Sequence, residues 1–190
     1  MATQKSKTVT IPLTSTDDKK RPEVQIKVPL IILGIHSNVA ADAGFTDGHA
    51  WLSISRDGVI TNYGLWPDEH PRIVAMGLND PKKSDIRVSM EDGQVPIASR
   101  FYRLTPSQTL LMEKKLKENV GWHYTNTCSS WASETASEIT RENINANDTL
   151  GFETPRKLTE SILKLEKSRQ TSIGNPKGVP DDIKASTANF

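Results

Sequence analysis

Cys128 is the single cysteine of this 190-residue chain, and its neighbours favour a reactive thiol. It follows Tyr124-Thr125-Asn126-Thr127 and opens a segment in which Trp131, Ala132, Thr135, Ala136 and Ile139 recur at helical spacing. With Thr127 as N-cap, the thiol faces unpaired backbone N–H groups and the positive end of a helix dipole, and both favour thiolate. The alternative is a small buried hydrophobe, the usual fate of a free cysteine.

A thiol nucleophile needs a base, and the chain offers four histidines. His49 ranks first because it follows Asp47-Gly48 and starts a strand pattern, and a strand positions an imidazole better than a loop does. His36 and His70 fall in loop-like stretches, and His123 is near Cys128 through chain connectivity alone. The base needs an acceptor that fixes its tautomer. Asn62, on the return strand of the same hairpin, would reach the ring if the hairpin carried a small bulge. Asp47, Asp57 and Asp68 remain alternatives, although turns attract Asp for backbone reasons. Trp51, Trp66 and Trp131 are candidates for a substrate groove, weighed against a plain core role.

These residues need a scaffold, and the hydrophobic pattern supplies one. A strand is expected over Val24 to Leu33 and a shorter one near Val9 to Leu13, with a small-residue loop from Gly34 to Gly48. His49 to Ser55 and Val59 to Trp66 flank Asp57-Gly58, a strong hairpin signal. Pro67 to Pro81 reads as loop. Strands follow at Ile86 to Met90 and Ser99 to Leu104, with a turn at Glu91-Asp92-Gly93 between them.

Three helices come next. The first starts at Thr105-Pro106-Ser107-Gln108, a capping box with Pro at N1, and runs to Gly121. The second runs from Cys128 to about Arg141, and the third from Thr154-Pro155 to about Lys167 with Leu158, Ile162 and Leu165 as its apolar stripe. Strands before helices predict an α+β domain, a small antiparallel sheet packed against helices. Its expected limits are 23–168, between a polar lead-in over 1–22 and a polar, flexible tail over 169–190.

Composition narrows the function classes. Lys plus Arg number 24 against 23 Asp plus Glu, a net charge of +1, so no basic excess argues for nucleic acid. No apolar run approaches the roughly 18 residues of a membrane span. One cysteine excludes an internal disulfide. No CxxC, HxxxH or HExxH spacing supports a metal site and no phosphate-binding glycine loop occurs, so no cofactor is expected. The first residues lack an apolar signal segment, which suggests that any export uses other machinery.

The order of His strand, hairpin, further strands and Cys helix resembles the circularly permuted branch of the papain-like NlpC-type cysteine peptidases and amidases. Gly48-His49-Ala50-Trp51-Leu52-Ser53-Ile54 resembles the His strand, and Asp57 to Asn62 the turn and third-residue strand. Tyr124 to Trp131 resembles the permuted nucleophile motif. The resemblance covers about residues 45 to 140. It implies Cys128 as nucleophile, His49 as general base and then acid, and Asn62 as the orienting residue, although His is the commoner residue there. It further implies a hydrolase that cuts peptide bonds of bacterial peptidoglycan. The expected protein is a type VI secretion effector delivered to a target-cell periplasm, with an immunity protein and a secretion-apparatus component as partners. An acyltransferase, thioesterase or deamidase on the same fold is the rival enzyme reading. A binding module with a buried cysteine is the rival from another class.

Overall fold

The computed structural model describes residues 7–12, 23–28 and 30–178. The chain is α+β: β1 (Lys7–Pro12), β2 (Glu23–Val28), β3 (Ile31–Ser37), β4 (Ala50–Arg56), β5 (Val59–Leu65), α1 (Pro71–Ala75), β6 (Ile86–Val88), β7 (Ala98–Arg103), α2 (Pro106–Lys115), α3 (Cys128–Thr140), α4 (Pro155–Ser168) and β8 (Lys177–Gly178). β1 and β2 form a separate two-stranded ribbon, and six strands make the main sheet in the order β6-β5-β4-β3-β7-β8. Every pairing in that sheet is antiparallel except β7 with β8. The sheet is therefore mixed, which corrects the all-antiparallel expectation.

The expected strand over Val24 to Leu33 is two strands in two sheets, β2 and β3. The proline between them in sequence has no amide hydrogen to give a ladder. β3 then runs on through Gly34 and His36 to Ser37, so the first four residues of the expected Gly34–Gly48 loop are strand. Gly34 fits there for a local reason: a Cβ at this position would overlap the Ser53 hydroxyl and come within 2.6 Å of His36 Nε2. Pro67 to Pro81 also contains one helix, α1. The expected lead-in contributes β1, which reaches Pro12; Leu13 lies outside the described residues.

All three longer helices start where the sequence places them. Thr105 and Thr127 each form a complete capping box, and the Thr154 hydroxyl accepts from the Lys157 amide. Such caps are worth about 1 kcal/mol each. α2 stops at Lys115, short of Gly121. α3 crosses β4 and β5, and α4 crosses β7 and β3. Their inner residues, Trp131, Ala132, Ala136, Ile139, Leu158 and Ile162, meet Leu33, Ile35, Ala50, Leu52, Ile54 and Tyr102 in one core. A fully buried Leu or Ile contributes about 1.5–3 kcal/mol.

The first ten residues of the tail expected over 169–190 belong to the fold. Arg100 donates to the Arg169 carbonyl and the Phe101 amide to Thr171 Oγ1, while β8 pairs with β7, so residues 169–178 line the sheet edge. Residues 179–190 lie outside the described residues. Among the described residues no helix is long and apolar enough to cross a membrane.

Candidate active site

The β4–β5 hairpin turns in two residues. Asp57 (φ 49°) and Gly58 (φ 88°) both take positive φ, the geometry that an Asp-Gly hairpin favours. Arg56 pairs with Val59, Ser53 with Asn62 and Trp51 with Gly64. There is no bulge. Extended by two residues, this register sets Trp66 opposite His49, whereas Asn62 lies four residues along the strand, about 13 Å away. The Asn62 amide instead donates to Asp92 Oδ1 at 2.8 Å on the surface. Asn62 is therefore not the residue that orients His49.

That position belongs to Glu91. Its Oε1 accepts from His49 Nε2 at 2.9 Å and from Trp66 Nε1 at 2.5 Å, and the residue is 1% exposed. Glu91 sits in the turn between β6 and β7 and is aimed by its surroundings. Met90 packs with Trp66 and Ile73 in a small second core, and Arg72 Nη1 donates to the Met90 carbonyl at 2.7 Å. Gly64 provides the approach: a Cβ there would overlap the Glu91 carboxylate and lie 2.8 Å from His49 Nε2. Gly64→Ala is expected to displace the carboxylate and cut activity about 100-fold, the scale of a 1 Å misplacement. A kcat/KM equal to wild type would refute this role for Gly64.

His49 is fixed at its backbone as well. Its amide donates to Asn38 Oδ1 at 2.7 Å and its carbonyl accepts from the Asn38 amide, while Asn38 Nδ2 donates to Gln94 Oε1 at 2.9 Å. Asn38 thus ties the end of β3 to both His49 and the Glu91 turn. The preceding Gly48 has φ 84°, and a Cβ there would overlap Val39.

Cys128 is N1 of α3, and the Thr127 cap takes the Ser130 amide, so the Cys128 and Ser129 N–H groups have no intrahelical acceptor. Burial by itself would raise the thiol pKa. The His49 charge, a hydrogen bond with its ring, the Ala50 amide and the Ser129 hydroxyl outweigh that and hold it below its ordinary value. For His49, burial likewise opposes the charged form, but the Cys128 thiolate and the Glu91 carboxylate raise its pKa to about 9. Both shifts favour a thiolate with an imidazolium over the neutral pair, and with Nε2–H donating to Glu91 it is Nδ1 that is left to serve the sulfur.

The pH dependence follows from the two directions. Thiolate forms from below the ordinary thiol pKa, and the imidazolium is lost as pH rises through about 9. Alkylation of Cys128 by iodoacetamide should have its midpoint below that of a free thiol, while the turnover proposed below should decline as pH rises above about 9. An alkylation midpoint near the ordinary value of about 8.5 would contradict the pair.

The other histidines have different surroundings. His36 is in β3 rather than a loop, buried between Ser99 Oγ (2.8 Å to Nδ1) and Ser53 Oγ (2.7 Å to Nε2), and burial lowers its pKa to about 3. His70 caps α1 and His123 is exposed in a turn. Asp47 accepts the Gly44 amide, Asp57 lies in the hairpin turn and Asp68 pairs with Arg87.

Trp51, Trp66 and Trp131 are 2%, 8% and 5% exposed, so none lines an open groove as expected. Trp131 belongs to the helix–sheet core. The other two flank the His49 ring, which lies 6.1 Å from Trp51 at an interplanar angle of 11° and 4.2 Å from Trp66. Indole faces favour a cation over them, which supports the protonated imidazole.

Sequence reasoning placed the Glu91 turn but missed its role. Two signals pointed there. A two-residue Asp-Gly turn implies the register that excludes Asn62, and glycine inside a strand marks a close approach by another chain segment. Among the described residues no cluster of three or more His, Cys, Asp or Glu could hold a metal ion. The sequence matches no family model and no curated protein, and the fold matches no solved structure.

Proposed function

We propose that this chain is a cysteine hydrolase, with Cys128 as nucleophile, His49 as general base and acid, and Glu91 as the orienting carboxylate. The observation that carries the proposal is a thiol at a helix N-terminus together with an imidazole whose Nε2 is held by a buried carboxylate, each of the two groups favouring the charged form of the other. A buried inert cysteine would have neither a base nor a depressed pKa.

In this reading the Cys128 thiolate attacks an amide carbonyl, and the resulting oxyanion is held by the free N–H groups at the start of α3. His49 passes its proton to the departing amine, leaving a thioester on Cys128. The neutral imidazole then takes a proton from water, the hydroxide attacks the thioester, and the acid product leaves as the thiolate–imidazolium pair re-forms. Glu91 holds the ring through Nε2 at every stage.

The particular enzyme proposed is a peptidoglycan amidase or endopeptidase of the circularly permuted papain-like, NlpC type. Support comes from the resemblance of residues 48–54 and 124–131 and from the order of the His strand before the Cys helix. Glu91 replaces the expected third position. The same resemblance supports an antibacterial effector delivered by type VI secretion to a target periplasm and neutralised by an immunity protein that covers Cys128. Digestion of purified peptidoglycan by wild type and Cys128→Ala, followed by mass analysis, tests the proposal. New fragments are expected with wild type alone. Their absence, or equal release by Cys128→Ala, would overturn it and turn attention to acyl transfer or deamidation.

A further inference from the structure

Between α3 and α4, residues 143–147 alternate in burial as a strand does. Ile144 (4% exposed) and Ala146 (0%) belong to the main core, so Asn143, Asn145 and Asn147 share the exposed side. The backbone of the segment is held at several points. The Ile144 amide donates to Ser137 Oγ at 3.1 Å, the Asn145 amide to Ser161 Oγ at 2.9 Å and the Asn147 amide to Asn145 Oδ1 at 2.7 Å, while the Ala146 carbonyl accepts from the Thr154 amide at 3.0 Å. Those amides are therefore not open to an added strand, and any recognition here falls to side chains.

Three asparagines at alternate positions are not what the fold requires, because asparagine is depleted in extended structure. Asn145 Oδ1 has its internal partner, but the Asn143 and Asn147 carboxamides make no hydrogen bond among the described residues. They border a groove of about 340 Å³, within the roughly 300–1,000 Å³ of ligand sites. The opposite wall is one stripe of α4, with Lys157, Ser161 and Lys164 at i, i+4 and i+7. Lys157 pairs with Glu160 at 2.6 Å, whereas Lys164 has no ion pair among the described residues. The groove thus offers carboxamides along one side and an unmatched positive charge on the other.

An extended peptide fits both walls. Its same-side carbonyl and N–H groups recur every two residues, about 6.8 Å apart, which is also the spacing of alternate asparagines on an extended segment. Each carboxamide can donate and accept, so it can pair with either backbone group. A carboxylate on the peptide would meet Lys164. Of the described lining residues only Leu165 is apolar and none is aromatic, so a lipid, a stacked sugar or a nucleobase has no face to rest on.

We infer that this groove docks an extended, acidic segment of a partner protein, with Asn143, Asn145 and Asn147 pairing with its main chain and Lys164 with its carboxylate. Docking there is independent of the chemistry proposed for Cys128.

The test pans a displayed library of random nonapeptides on the full-length protein, then titrates the enriched sequences, synthesised with a fluorescent label, by anisotropy. Asp and Glu should be enriched over the starting library, and binding should weaken as salt rises. The double variant Asn143→Ala/Asn147→Ala should weaken binding by about thirtyfold, the scale of two hydrogen bonds, and Lys164→Gln by about threefold, the scale of one exposed ion pair. All three side chains are exposed and lack internal hydrogen bonds, so both variants should melt as wild type does. No enriched sequence, enriched sequences without acidic residues, or affinities unchanged in both variants would overturn the docking site. Displacement of the labelled peptide by free glutamate as readily as by unlabelled peptide would mark a simple anion site and overturn it as well.

Discussion

Cys128→Ala is expected to abolish hydrolysis, lowering kcat/KM by about 10⁴-fold or more, because the covalent route disappears along with the residue that attacks. The fold should tolerate the change. The side chain is small, it is partly exposed, and the Thr127–Ser130 capping box that starts α3 does not involve it. Circular dichroism and thermal melting should therefore resemble wild type while product release stops. The variant also reports on His49: without the thiolate, one of the two charges that raise its pKa is gone, so NMR titration of the ring should give a value below 9. Substantial turnover by Cys128→Ala would remove the thiol from the chemistry altogether.

The second large effect separates Glu91 from Asn62. Glu91→Gln retains the shape of the side chain but removes the charge that favours imidazolium, and should lower kcat/KM by about 100-fold or more through a misheld and less basic ring. The sign of the pH change is set by the same contact. Glu91 helps raise the His49 pKa, so its loss lowers that pKa and moves the alkaline limb of the activity profile to lower pH. Asn62→Ala removes an exposed hydrogen bond to Asp92, and activity should stay within about twofold of wild type, since an exposed polar contact contributes little. Kinetics of the two variants side by side decide the matter. A larger loss from Asn62→Ala than from Glu91→Gln would restore Asn62 to the site.

Much of this site was legible in local sequence. Thr127 ahead of Cys128 is a cap because a hydroxyl there can take an orphan amide, a relation spanning three residues. Asp57-Gly58 makes a two-residue turn because both positions must take positive φ, which those residue types tolerate. His49 and Cys128 could be paired because each lies at the start of an element whose pattern is clear. His36 was misread because Gly34 looked like a loop residue, whereas in the fold it makes room for a hydrogen bond across the ladder. The tryptophans were misassigned because their type marks both cores and grooves, and only packing distinguishes the two.

The sequence by itself determined where the helices begin, where the main hairpin turns, and that the lone thiol stands at a helix start. These depend on contacts within a few residues, where residue type constrains the backbone directly. Only the tertiary structure decided that Glu91, 42 positions beyond His49, completes the site. Its placement combines the β5–β6 pairing, the Trp66–Ile73–Met90 cluster and the opening at Gly64. Each of those is a long-range contact, and it is their joint geometry that brings a buried carboxylate to the imidazole.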